Sequence, residues 1–521
     1  MAVFVSIVLL LLLLALVGEY LRPGLILLSG AVIFLCAGIL TPREMLEGFS
    51  NKGMITVALL FLVSEGVRRS GLLETLLQHL LPQAGVGVRR VLLRMMPVVS
   101  FISAFLNNTP VVVIFAPMIK RWAIRARQPA TKLLIPLSYA TILGGVCTLI
   151  GTSTNLVVHG MALDEAERNP AVRGLSMFEL GQVGLVVAVV GIAYVVLAAK
   201  FLLPACREEP ADMVSEEQHR GIFRVEVVLG ARFPAIGKRV RDFDFRRKYG
   251  ATLLELKRGG RTLIVHDMRK EYFMEGDTLV LLADDDFMKN WADSSFFLMV
   301  SDNRETTPPM GRRKRWFTIV LLVLMILGAA VGELPVMREL VPGMKLDMFF
   351  FVCVTTIIMA WMNIFPARKY TKFISWDILV TIASAFAISR AMQNSGMADA
   401  VASWAVGLSS SYGPYVLLAV VFLITNVFTE LMTNNAAAAL AFPIALSIAD
   451  HLGVSPMPFI VAICFAASAS FSTPIGYQTN LIVQGVGGYR FLDFLKIGLP
   501  LNLIVMALSV WLIPRFWPFY A

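Results

Sequence analysis

Long apolar runs separated by short polar connections dominate the chain. Crossing a bilayer takes about 20 mostly apolar residues. Ten such runs lie near 2–18, 24–40, 53–68, 133–158, 180–203, 316–332, 348–365, 376–393, 457–482 and 498–514. Two further stretches, 88–121 and 414–449, read differently: an apolar arm, an Asn-rich polar island, then a second apolar arm. Arms of fourteen to sixteen residues are short for a crossing, so each stretch is read as a re-entrant helical hairpin. Residues 205–310 break the apolar pattern. Charges are dense there, and Val225–Leu229, Ala251–Lys257 and Asp277–Leu282 read as strands. Arg258-Gly-Gly-Arg261 is a hairpin signal, and Arg239–Lys248 reads as a short helix. The pattern predicts an all-α polytopic membrane protein with a small soluble α+β domain at 205–310. That domain, bounded by Pro204 and Pro308-Pro309, separates membrane units 1–204 and 311–521.

The two membrane units repeat each other. Ile150-Gly-Thr-Ser-Thr-Asn-Leu-Val-Val-His-Gly160 returns as Ile475-Gly-Tyr-Gln-Thr-Asn-Leu-Ile-Val-Gln-Gly485, identical at seven of eleven positions across 325 residues. Asn107-Asn108-Thr109-Pro110 precedes the first copy as Thr433-Asn434-Asn435-Ala436 precedes the second, at spacings of 47 and 46 residues. Five crossings fall in each unit, and an odd number between equivalent points inverts the second unit relative to the first. Inverted repeats with interrupted helices are the mark of secondary transporters, whose sites lie near the midplane at the repeat interface.

Composition agrees: 57% of residues are hydrophobic, 16% are charged, and the mean hydropathy is +0.72. The net charge of +10 raises nucleic acid as a partner, but its distribution excludes it. With the N-terminus outside, connections facing the cytoplasm hold 20 Lys and Arg against 8 on the other side, leaving aside the insert. This is the positive-inside bias. It places the protein in the inner (plasma) membrane, with the insert cytoplasmic and both termini outside. The leading end of the first run lacks Lys and Arg and another run follows at once, so it reads as a mature helix and not a signal peptide. The five cysteines are scattered without metal or redox spacing and read as buried hydrophobes.

The islands carry the chemistry. A broken helix exposes N–H groups that suit anions at one half and carbonyls that suit cations at the other. Asn and Thr add neutral donors and acceptors without a buried charge. Thr154, Asn155, Thr479 and Asn480 at the breaks, with the two Asn islands, are the substrate-binding candidates. Of Lys, Arg and His, only His159 lies in the four motifs, at the edge of one, where it reads as packing. Glu430 is an intramembrane acid, read either as a functional group or as one that only orients the hairpin. Glu65 and Arg390 read as helix-end residues reaching for the interface. Tyr477 and Gln478 replace Thr152 and Ser153, so the half-sites are unequal.

At these residues, across roughly 50–204 and 315–521, the chain resembles the divalent anion–sodium symporter (DASS) family of the ion transporter superfamily. That family carries Ser-Asn-Thr at each hairpin tip; here the tips read Asn107-Asn108-Thr109 and Thr433-Asn434-Asn435. Its helix break ends in Pro-Asn, whereas Thr154-Asn155 and Thr479-Asn480 lack the proline. The insert resembles a cytoplasmic TrkA-C (RCK-C) domain at Gly237-Lys238, Tyr249-Gly250 and Glu275-Gly276-Asp277. The resemblance implies one Na⁺ site from Ser103, Asn107, Asn108 and Gly151, and a second from Thr429, Thr433, Asn434 and Gly476. It further implies an anion touching both tips (Asn107 to Thr109, Thr433 to Asn435), elevator-like movement, a homodimer, and a regulatory small ligand on the insert.

The reading is therefore a Na⁺-coupled importer of a small dianion, a C4-dicarboxylate or sulfate, with Na⁺ as coupling ion and no cofactor. An exporter or Na⁺/H⁺ antiporter of the same superfamily is one alternative. A channel or sensor gated by the insert is another, disfavoured because no Thr-Val-Gly-Tyr-Gly filter occurs. No His-Glu-x-x-His or Gly-x-Ser-x-Gly motif supports an enzyme.

Overall fold

The computed structural model describes residues 1–18, 21–80, 86–204, 223–259, 261–264, 270–283, 296–302, 310–332, 346–409 and 413–520, with Phe287, Trp291 and Ser294. The Pro308-Pro309 boundary and Cys206 lie outside the described residues. The chain is mostly helical. The first unit contains α1 (Ala2–Val17), α2 (Pro23–Cys36), α3 (Pro42–Glu47), α4 (Lys52–Arg69), α5 (Leu72–Leu80), α6 (Val88–Ser103), α7 (Asn108–Arg125), α8 (Leu134–Gly145), α9 (Ser153–Glu165) and α10 (Gly181–Leu202). A mixed segment follows, with β1 (Phe223–Leu229), α11 (Phe245–Tyr249), β2 (Thr252–Arg258), β3 (Arg261–Ile264), β4 (Thr278–Ala283) and β5 (Phe297–Asp302). The second unit contains α12 (Arg312–Gly332), α13 (Met348–Trp361), α14 (Trp376–Asn394), α15 (Met397–Ser409), α16 (Pro414–Leu431), α17 (Asn434–Leu452), α18 (Met457–Ser468), α19 (Gln478–Gly487) and α20 (Phe491–Phe516).

Among the described residues, six helical segments are long and apolar enough to cross a bilayer: Pro42–Arg69, Gly181–Leu202, Arg312–Gly332, Pro414–Leu431, Asn434–Leu452 and Phe491–Phe516. Large apolar side chains such as Leu185, Phe201, Trp361 and Trp511 stand exposed on the outside of the bundle, as a surface facing hydrocarbon requires. The stretches 133–158 and 457–482, read from sequence as single crossings, are each broken in two, between α8 and α9 and between α18 and α19. The hairpin arms run 16 to 19 residues, longer than their apolar cores suggest. Helix α6 begins in Arg89-Arg90, and α7 and α17 continue into Arg121–Arg125 and Asp450-His451, which a count of apolar residues stops short of.

The sheet is antiparallel throughout, in the order β3-β2-β4-β1-β5. Arg258 and Arg261 pair at the end of the β2–β3 ladder, with Gly259 at φ +53°. In place of a helix over 239–248, a 3₁₀ turn at Val240–Asp242 precedes the short α11, capped by Asp244. Side chains of β1 alternate between faces. Val225, Val227 and Leu229 join an aromatic core of Phe233, Phe243, Phe245, Tyr249 and Phe273. Val228, on the opposite face, packs into the core of the helical bundle together with Met299. The sheet therefore lies against the helices.

Two contacts fix it there. Glu226 of β1 takes Lys120 of α7 at 3.1 Å and Lys257 of β2 at 3.1 Å. Burial pushes the Glu226 carboxyl up, but the two ammonium groups outweigh it and hold it at about 2. On α19, a Cβ at Gly485 would stand 2.6 Å from the Thr278 hydroxyl and 3.0 Å from the Gly276 carbonyl, so only glycine admits this approach.

Candidate functional site

The two polar islands and two helix breaks fold into two clusters with the same local bonding. In the first, the Ser103 hydroxyl donates to Asn108 Oδ1 at 2.5 Å; in the second, Thr429 donates to Asn434 Oδ1 at 2.8 Å. Thr148 donates to the Ala104 carbonyl as Thr473 does to that of Glu430. The Gly151 N–H donates to Thr148 Oγ1 and the Gly476 N–H to Thr473 Oγ1, both at 3.2 Å. Asn155 Nδ2 donates to the carbonyls of Gly145 (3.4 Å) and Thr148 (2.9 Å), and Asn480 Nδ2 to those of Ser470 (2.8 Å) and Thr473 (3.1 Å). Each Asn fills carbonyls that the broken helix leaves without partners.

The clusters also interlock. Asn108 Nδ2 donates to the Tyr477 hydroxyl at 2.5 Å, and Thr152 Oγ1 lies 3.2 Å from it. Thr109 donates to Gln478 Oε1 at 3.3 Å. Ser153 and Thr154 both donate to Asn435 Oδ1, at 3.3 and 3.2 Å. The Ser138 hydroxyl of α8 lies 2.7 Å from Asn480 Oδ1 and 2.9 Å from Thr479 Oγ1. Helices α7 and α19 thus meet at their first turns, as do α9 and α17. Four helix N-termini, each carrying partial positive charge, face one polar centre.

Of the candidates from sequence, Asn108, Thr109, Asn435, Thr154, Thr479 and Asn480 take part in contacts between the units, and Ser103, Gly151, Thr429, Asn434, Gly476 and Asn155 in contacts within one unit. Asn155 is fully buried and its Oδ1 has no donor among the described residues. Asn107 is half-buried and lines a cavity of about 20 Å³ with Ser64, Phe105 and Ser153, space for one water. Thr433 is exposed at the start of α17, and its side chain does not cap that helix. Sequence reasoning missed the bridging role of Tyr477, which reads as a lost Thr, and Ser138, a lone hydroxyl in an apolar helix with no duplicate (Ile463 holds the matching position).

Three other expectations are settled by packing. Glu65 does not reach for the interface: it is 8% exposed and bound by Arg68 at 2.7 Å, because a carboxylate that close to the core needs a charged partner. Arg390 likewise turns inward to Asp164 at 3.1 Å. His159 accepts the Leu175 N–H through Nδ1 at 3.0 Å, a packing role.

A bundle of apolar helices, broken where polar side chains meet and wrapped in exposed apolar surface, is that of a multi-pass membrane transporter. The chain belongs to the citrate transporter (CitMHS) family, whose model matches residues 8–453 and 434–519. It is 31% identical to "Uncharacterized transporter sll0640" of Synechocystis, over 91% of this chain and 90% of that one. It is 23% identical to "Probable sodium/sulfate cotransporter 3" of Chlamydomonas reinhardtii, over 90% and 83%. Its fold is similar to the crystal structure of the YdaH transporter of Alcanivorax borkumensis (TM-score 0.53, 14% identity, 92% and 89% of the two chains).

Proposed function

We propose that the protein is a Na⁺-coupled importer of a small dianion, with sulfate favoured over a C4-dicarboxylate. The observation that carries this is the convergence of the first turns of α7, α9, α17 and α19 on one uncharged centre. Helix N-termini attract anions, and where no Lys or Arg supplies the counter-charge, co-bound cations do. The carbonyl-rich ends of α6, α8, α16 and α18 lie beside those N-termini and suit a hard cation. The two Na⁺ sites are those the resemblance to the divalent anion–sodium symporters implies: Ser103, Asn107, Asn108 and Gly151 hold one, Thr429, Thr433, Asn434 and Gly476 the other. The anion is assigned to Asn107 to Thr109, Thr433 to Asn435, Thr154, Asn155, Thr479 and Asn480. The bulky Tyr477 side chain stands within this set, bonded by Asn108 and 3.2 Å from Thr152, which favours a compact tetrahedral anion, and a sodium/sulfate cotransporter name among the relatives points the same way.

In this reading, units 1–204 and 311–521 are inverted repeats that alternate access by an elevator-like movement, within a homodimer in the plasma membrane. The matched hydrogen bonds of the two clusters support the repeat. The segment 205–310 is read as a cytoplasmic TrkA-C-like regulatory domain with a small ligand of its own; left-handed Gly250 and Gly276 suit the turns that resemblance needs. The test is uptake of labelled sulfate and succinate into proteoliposomes. Sulfate accumulates only with an inward Na⁺ gradient; equal uptake with K⁺ would remove the coupling.

A further inference from the structure

Glu430 is half-buried near the end of α16 and belongs to none of the sites assigned above. Its Oε1 accepts from the Ser472 N–H at 2.8 Å and from Asn502 Nδ2 at 2.7 Å. Its Oε2 accepts from the Thr473 N–H at 2.8 Å and from the Ser470 hydroxyl at 3.4 Å. All four donors are neutral. Asn502, 5% exposed, also donates to Ser472 Oγ at 2.8 Å, while its own Oδ1 has no donor among the described residues.

Among the described residues, the first cluster has no such network. Ala104 stands four residues before Asn108, as Glu430 stands four before Asn434, and the two backbone carbonyls accept equivalent Thr hydroxyls. Gly184 of α10 lies against Cys147 and Gly498 of α20 against Ser472, which places Ala188 where Asn502 stands. The carboxylate, amide and hydroxyl of one cluster are thus Ala104, Ala188 and Cys147 in the other.

Two physical effects follow. A trans peptide points its N–H and C=O in opposite directions. The Ser472 N–H given to Glu430 therefore turns the Phe471 carbonyl the other way, where the Tyr139 hydroxyl donates to it at 2.6 Å. The carboxylate in this way sets the peptide planes of the unwound segment between α18 and α19, whose Ser470 and Thr473 carbonyls hold Asn480. It also leaves a carboxylate, whose donors among the described residues are all neutral, beside the second set of cation ligands; at a half-buried position such a charge raises cation affinity.

We propose that Glu430, steadied by Asn502, is a positioning carboxylate that makes the second cluster the tighter of the two cation sites. This rests on the reading of two Na⁺ sites given above. The test is Na⁺ titration of the purified full chain, followed by thermal melting with K⁺ holding ionic strength constant, and by Na⁺ activation of sulfate uptake. Glu430→Gln keeps the size and an acceptor but removes the charge. It raises half-saturating Na⁺ by about tenfold or more, while the sulfate KM at saturating Na⁺ moves less than about threefold. Glu430→Asp, which keeps the charge, stays within about threefold of the parent. The pair Glu430→Ala with Asn502→Ala copies Ala104 and Ala188, which the first cluster tolerates, and weakens Na⁺ like the Gln variant; it decides the matter if Gln does not fold. Unchanged half-saturating Na⁺ in both charge-removing variants overturns the proposal. A parent protein that takes up sulfate with no response to Na⁺ overturns the coupling itself, and this proposal with it.

Discussion

The two polar clusters share their hydrogen bonds almost one for one, yet they differ in what surrounds those bonds. The first leaves the buried Asn155 Oδ1 without a donor among the described residues and has Ala104 and Ala188 where the second has Glu430 and Asn502. The second gives Asn480 Oδ1 a hydroxyl from Ser138, fills its centre with Tyr477, and adds Glu430 and Asn502. A duplicated motif can thus keep its backbone geometry while its two copies acquire different charge and rigidity. Their attachment to the sheet differs as well: α7 is held through the Lys120–Glu226 ion pair, and α19 through the close approach at Gly485.

The sharpest way to break the comparison is to remove the shared element. Asn108→Ala and Asn434→Ala each lower uptake by roughly a hundredfold or more, because each Asn orders a hairpin tip in a buried polar network. Size-exclusion chromatography is expected to show both folded, and normal transport by either would separate that copy from the site. Tyr477→Phe removes the hydroxyl that Asn108 and Thr152 share and lowers uptake by about tenfold, an effect the smaller Thr152→Ala does not match. Gly485→Val pushes the sheet off α19 and lowers the melting temperature by several degrees, whereas Lys120→Met, at a partly exposed ion pair, costs about 1 kcal/mol or less. That ion pair carries a pH signature. Because the Glu226 carboxyl is depressed from 4.5 to about 2, its contribution is fully present above pH 4.5 and is lost as pH falls toward 2. Hydrogen exchange along β1 is expected to follow that loss, and Glu226→Gln to abolish it. The smallest effect is Ser138→Ala, which leaves Asn480 Oδ1 as bare as Asn155 Oδ1 and costs about 1 kcal/mol in thermal melting.

Much of this was legible in the residue pattern. The apolar runs locate the long helices to within a few residues at most ends, and the repeated Thr-Asn and Asn-Asn islands mark both hairpin tips and both breaks. The strands around Val225, Leu256 and Leu279 follow from β-branched and aliphatic alternation. What escaped reading is partnership. Tyr477 looks like a degraded Thr until Asn108 is seen to donate to it across 369 residues of chain. Glu65 and Arg390 look like interfacial charges because a sequence does not state which helix covers them. The contact of the sheet with α7 and α19 depends on Gly485, and a glycine in an apolar run carries no mark of what approaches it.

Helix α19 is ten residues long, about 15 Å from end to end. One tip carries Gln478 and Thr479, and Gly485 near the other stands against Thr278. A tilt of the sheet is therefore passed along α19 to the polar contacts of Gln478 and Thr479 with Thr109 and Ser138.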